Sequence, residues 1–185
     1  MVEGLRGHTY EKPVPAMRRN LDAITKDQAG AETWPIAIAA LGPLMLKLAA
    51  EKTRGALPYN GTPEHTRSAK AILGASKWLV VEQKVCVETD PARARLVGRK
   101  ELIRYMGLPN YRNNWLRIGF TEADLENGGS DRFIDAMVNW GDAATVKAKL
   151  KAHFDAGATH VCLQPIHEEG DIAARDDTLK ALADA

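Results

Sequence analysis

The spacing of apolar residues changes several times along the chain, and each change marks an element. From Pro13 to about Lys26, Val14, Met17, Leu21 and Ile24 recur at intervals of three and four, the period of one helix face. Trp34 to Ala40 is an apolar run of strand length that ends at Gly42-Pro43. Proline lacks the N–H that the first turn of a helix leaves unpaired, so Pro43 opens a helix predicted to reach Lys52. Ala56–Pro58 is a short strand. Thr62-Pro63-Glu64 then supplies a cap, a first-turn proline and a first-turn acid for a helix to Leu73.

Leu79–Val87 is the longest strand candidate, and Asp90-Pro91 opens a helix to about Met106. Between Asn110 and about Asn139 the pattern predicts two or three short helices, punctuated by Gly119 and Gly128-Gly129. Asp142 caps a helix whose Val146, Leu150 and Phe154 form one stripe, and Gly157 ends it. Thr159–Gln164 is the last strand and Ile172–Leu182 the last helix. Strands alternating with helices imply a parallel sheet with right-handed crossovers. Four strands are counted, whereas a closed (β/α)8 barrel has eight and runs to roughly 250 residues. The expectation for these 185 residues is one α/β domain spanning 1–185, either a small open sheet or part of a barrel.

Composition narrows the function classes. Lys and Arg number 25 against 24 Asp and Glu, a formal net charge of +1, and no basic stripe stands out. That argues against nucleic acid as a partner. Met1–Arg6 has no apolar signal core, and the run around Ile36–Leu46 is broken by Gly-Pro and too short to span a bilayer. Cys86 and Cys162 sit in separate strand candidates, which suits reduced thiols in a cytoplasmic protein.

The stretch Ile36–Glu51 carries the clearest chemical signal. A strand that enters a helix through Gly42-Pro43 aims free backbone N–H groups at one point, and Gly42 allows close approach of a ligand. The turn suits a phosphate, although a plain βαβ corner has the same pattern. His160, Cys162 and His167 have the spacing His-x-Cys-x4-His, which lacks a fourth ligand, so no metal site is expected. His65, just inside a capped helix start, is expected to be a neutral surface or capping histidine. Glu82 and Lys84 share one face of an otherwise apolar strand and are expected to form an ion pair there.

Several segments, in order, carry a resemblance: Ala39–Glu51, Gly55–Tyr59, Thr62–Thr66, Glu88–Arg95, Leu108–Trp115 and Ala156–Gln164. Together they resemble the luciferase-like monooxygenase superfamily, in its branch of oxidoreductases dependent on the deazaflavin coenzyme F420. At Thr159 the family more often has aspartate. The family fold is a (β/α)8 TIM barrel, and Tyr10–Met17 resembles a segment near the middle of a family member. The resemblance therefore implies the C-terminal half of such a barrel: about four parallel strands, surrounding helices and a helical insertion. The chain is expected to be truncated at its N-terminus. Half a barrel exposes two strand edges and an inner face, so a homodimer or a separate N-terminal half is the expected partner.

The resemblance also implies the site. Ala40, Leu41, Gly42, Leu44 and Met45 would hold the phosphate end of the cofactor, and Pro58, Tyr59 and Asn60 would close the same site. Tyr111 and Trp115, four apart on one helix face with Asn114 between them, would belong to a substrate-pocket wall. Gln164 shares a strand face with His160 and Cys162 and would reach the cofactor ring or the substrate. The family's acid and base residues come mostly from early strands, so no catalytic residue is named. The implied activity is hydride transfer between F420 and a small organic substrate. An FMN-dependent monooxygenase and a non-catalytic half-barrel are the alternatives.

Overall fold

The structure is a computed structural model that describes residues 11–27, 30 and 33–183, so Met1–Arg6 and Tyr10 lie outside it. Its elements run α1 (Pro13–Asp27), β1 (Ala37–Ala39), α2 (Pro43–Lys52), β2 (Gly55–Leu57), α3 (Pro63–Leu73), β3 (Trp78–Val87), α4 (Pro91–Met106), α5 (Pro109–Arg117), a 3₁₀ segment (Ala123–Gly128), α6 (Asp131–Met137), β4 (Val138–Gly141), α7 (Ala143–Asp155), β5 (His160–Pro165) and α8 (Ile172–Leu182). Start signals placed the helices well. Pro43, Pro63, Pro91 and Pro109 all occupy first-turn positions, and Thr62, Asp90, Ser130 and Asp142 accept from N–H groups of the turns they cap.

All strand pairs are parallel. β1 pairs with β2, and β2 with the start of β3. β5 runs along β3 from Val80 to Val85, while β4 pairs with Lys84–Val87. Lys84 and Val85 pair with both β4 and β5, so those two strands flank β3 on opposite edges. Five strands are present among the described residues, where the sequence pattern indicated four. The additional one, β4, is four residues long, follows α6 without a loop and ends at Gly141, so neither alternation nor a turn signal announces it. β1 is also shorter than the predicted Trp34–Ala40, and Trp34 is 47% exposed.

β3 sorts its side chains by parity. Leu79, Val81, Gln83 and Val85 are buried, and Gln83 meets His153 of α7, so these residues face the helices. Leu21 of α1, Leu46 and Leu48 of α2, and Ala69 and Leu73 of α3 form one core with Leu79 and Val81. Val80, Glu82 and Lys84 point the other way, with their register partners His160, Cys162 and Gln164 of β5. The segment α4–α6 closes over the C-terminal end of this second face, around a core of Val97, Leu102, Trp115, Phe133 and Ile134. The remainder of the face is open, with His160 and Cys162 exposed.

The predicted α7 stripe is buried along only part of its length. Val146 and Leu150 are buried, but Phe154 is 50% exposed and lines a groove with Val161, Leu163 and Leu179. His153 is the buried residue beside it. Its Nε2–H donates to Gln83 Oε1 at 2.7 Å, and its Nδ1 accepts from the Thr66 hydroxyl at 2.8 Å. Gln83 is held in turn, because its amide nitrogen donates to the carbonyls of Lys84 and Met137. A neutral imidazole satisfies both contacts, and burial pushes the His153 pKa down to about 4.

Two outcomes follow for stability. The unfolded chain binds a proton at His153 below about pH 6.5 and the folded chain does not until about pH 4. Stability is therefore expected to fall between those values by on the order of 3 kcal/mol, and His153→Gln should flatten that part of the profile in urea titrations. At Gly55, an added Cβ would lie 2.2 Å from the Trp78 carbonyl oxygen, a backbone atom that cannot move aside. Gly55→Ala is expected to cost more than the roughly 1–3 kcal/mol of ordinary overpacking, read from the urea midpoint.

Candidate functional site

At the C-terminal ends of β1 and β2, two loops and the start of α5 enclose a cavity of about 440 Å3. Ala40, Leu41, Gly42 and Met45 line one side, and Tyr59 and Tyr111 the other. Four of the five phosphate-turn residues named from sequence therefore meet Tyr59 and Tyr111 in one place. Leu44 lies on the surface, 68% exposed.

The turn leaves its donors free. Gly42 is the N-cap of α2, with extended backbone, and has no side-chain oxygen to satisfy the first turn. Pro43 removes one N–H, while those of Leu44 and Met45 have no acceptor one helical turn back. No acidic residue occupies that turn, and a Cβ built on Gly42 meets nothing within 4 Å. An anion would find room, dipole and donors there. By contrast, α3 has both its Thr62 cap and Glu64 in its first turn.

Pro58 and Asn60 are buried behind the cavity wall. Asn60 has φ 57°, a left-handed conformation that asparagine tolerates better than most residues. Its N–H donates to Glu82 Oε2 at 3.1 Å, its carbonyl accepts from Trp115 Nε1 at 3.1 Å, and its side-chain oxygen accepts from Lys84 Nζ at 2.5 Å. Trp115 is fully buried, stacked on Tyr111 at 6.0 Å, so it supports the wall from beneath. Asn114, next to it, is also buried and accepts from Arg117.

Three tyrosines converge above the end of β3. The rings of Tyr59, Tyr105 and Tyr111 lie 5.1–6.2 Å apart. Tyr59 donates its hydroxyl proton to Gln164 Oε1 at 2.6 Å and meets the Tyr105 hydroxyl at 3.0 Å. Burial, then the Tyr105 contact, raises the Tyr59 pKa far above the phenol range, so the group stays protonated. Gln164 Nε2 donates to Glu101, which also pairs with Arg104. Both ends of the Gln164 amide are thus engaged, on the border between this aromatic cluster and the α4 side.

The expected Glu82–Lys84 pair is present, with Nζ 3.1 Å from Oε1. Lys84 Nζ also lies 4.2 Å from the Tyr59 ring centroid. Burial lowers the Lys84 pKa, and Glu82 works against that shift. His65 is the clearest departure from the sequence reading. It is 4% exposed, and its Nε2 donates to the Leu41 carbonyl at 2.9 Å, bridging the first turn of α3 to the phosphate turn. Burial lowers its pKa, so it is neutral as expected, but it is an internal strut. No sequence signal marks it, because the bridge spans 24 residues. Tyr105 was likewise missed, since it reads as one more position of a helix. Among the described residues no cluster of three metal-ligating side chains occurs, and no helix is long and apolar enough to cross a membrane.

No protein-family model and no curated protein sequence matches the chain. Solved structures do match. An F420-dependent secondary alcohol dehydrogenase, in complex with an F420–acetone adduct, aligns at TM-score 0.54 and 14% identity over 80% of this chain and 48% of its own. The oxygenating constituent of 3,6-diketocamphane monooxygenase from Pseudomonas putida, a type II Baeyer–Villiger enzyme bound to FMN, aligns at 0.56 and 15%, over 83% and 48%. Apo-MsnO8 aligns at 0.62 and 18%, over 98% and 63%. The chain thus spans about half the length of the first two. Four strands, β1, β2, β3 and β5, form a continuous parallel sheet, with β4 beside the end of β3. The chain therefore has an α/β fold, a parallel sheet with surrounding helices, that aligns with about half of each of those two enzymes.

Proposed function

We propose that this chain is the cofactor-binding half of a luciferase-like oxidoreductase that transfers a hydride between coenzyme F420 and a small organic substrate. The observation that carries the reading is the uncapped N-terminus of α2, which opens into the 440 Å3 cavity walled by Tyr59 and Tyr111. The turn formed by Ala40, Leu41, Gly42, Leu44 and Met45 would hold the phosphate, with the N–H groups of Leu44 and Met45 as donors, and Pro58–Asn60 would set the opposite wall. Tyr111, backed by Trp115, and Gln164 would border the substrate. When bound, a deazaflavin supplies the hydride chemistry, and the protein contributes position and exclusion of water. FMN also carries a phosphate, so an FMN-dependent monooxygenase is the alternative the same turn supports.

One observation favours a half that does not turn over by itself. The titratable groups named at this end of the sheet are already engaged: Glu82 with Lys84, Glu101 with Arg104 and Gln164, and Tyr59 with Gln164. Acid–base groups would then come from what covers the open face, either a second copy or a separate N-terminal half. We take the chain to be a single domain, 1–185, working in the cytoplasm, with no nucleic-acid or membrane partner.

Fluorescence titration of the purified chain with F420 and with FMN tests the reading. Saturable binding of F420, tighter than FMN, is expected; binding of neither would overturn both cofactor readings. Gly42→Asp supplies a side-chain cap and a negative charge where the phosphate would sit. It should weaken binding by roughly tenfold or more, equivalent to about 1.4 kcal/mol, while the melting temperature holds or rises slightly. Light scattering over a range of concentrations should give twice the chain mass or a mass shift on adding a complementary half.

A further inference from the structure

We propose that Lys84 is a positioning residue: from inside the sheet it sets the conformation of the loop after β2, and through that loop the shape of the cavity at the phosphate turn. The inference rests on the cofactor reading for its consequence, and on geometry alone for the clamp. The Lys84 side chain is 1% exposed. Its ammonium donates to Asn60 Oδ1 at 2.5 Å and Glu82 Oε1 at 3.1 Å, and faces the Tyr59 ring. Those contacts dictate how the Asn60 amide sits. Turned over, the amide would present its own N–H groups to the ammonium, donor against donor. As it stands, Asn60 Nδ2 is buried without a partner among the described residues, so the orientation serves Lys84.

The rest of Asn60 is bound as tightly. Its N–H goes to Glu82 and its carbonyl to Trp115, and its φ is positive. The clamp then passes along the chain. Gly61 lies so close to His65 that a Cβ there would be 2.9 Å from Nδ1. Thr62 caps α3 by accepting from the His65 N–H, and His65 Nε2 donates to the Leu41 carbonyl. A buried cation on β3 is thereby connected, residue by residue, to both walls of the cavity. A buried ion pair contributes little net stability, because desolvation offsets the attraction. Selecting one loop conformation is the role that accounts for it here.

The test uses Lys84→Met together with Glu82→Gln, which removes both charges and leaves neither unpaired; Asn60→Gly, which keeps the positive φ and deletes only the amide, is the second variant. The first readout is the Trp115 indole N–H resonance, assigned with Trp115→Phe, and its protection from hydrogen exchange. Both variants are expected to shift that resonance and lose protection by roughly tenfold or more, with thermal unfolding still cooperative. The second readout is titration with F420 and FMN, where a loss of roughly tenfold in affinity is expected. An unmoved, protected indole in both variants would overturn the clamp, as would a loss of binding that only tracks the unfolded fraction. If the parent chain binds neither probe, the cofactor reading fails, and the indole resonance still decides the clamp.

Discussion

The parallel ladder along β3 is the constraint to which every other part of the molecule answers. This ten-residue strand pairs with β2, β4 and β5, more partners than any other described strand has. Its pleat sends alternate side chains to opposite faces, so two adjacent polar residues serve different layers. Gln83 points to the helices and fixes the neutral His153, while Lys84 points to the other face and fixes Asn60. A one-residue slip would exchange the two and leave both polar groups among the wrong neighbours.

The two faces are finished differently. Helices α1–α3, α7 and α8 cover the first with aliphatic packing, as parallel sheets require. Over the second face, only the C-terminal end is covered, by α4–α6 and their aromatic core. The covered end is also where the loops after β1 and β2 meet, so the cavity, the tyrosine cluster and the Lys84 clamp share one corner. The uncovered end presents His160 and Cys162 to solvent. In a closed barrel such positions are filled by neighbouring strands.

Much of this was legible in the chain. First-turn prolines and caps announced α2, α3, α4 and α7, and the limits Pro43–Lys52 and Ile172–Leu182 agree with the structure. The turn at Gly42-Pro43 stood out because its meaning is local: a helix start with nothing to cap it. Parity along β3 and β5 likewise placed Glu82 beside Lys84, and His160, Cys162 and Gln164 on one face. β4 escaped notice because four residues with no turn before them carry too little pattern. Periodicity placed Phe154 on one stripe with Val146 and Leu150 because it reports which residues share a face. It does not report how far along the helix the neighbouring layer extends.

What the sequence determined by itself was most of the alternation of elements, the starts of the main helices, the parity of β3 and β5 and the uncapped turn after β1. All of these depend on interactions within a few residues, where backbone preferences and caps act. The tertiary structure alone decided that Asn60 is held by Lys84, Glu82 and Trp115, that His65 ties α3 to Leu41, and that Tyr59 reaches both Tyr105 and Gln164. Those contacts join residues 22–105 positions apart. No local preference encodes them, because each exists only after the sheet register brings distant strands to the same end.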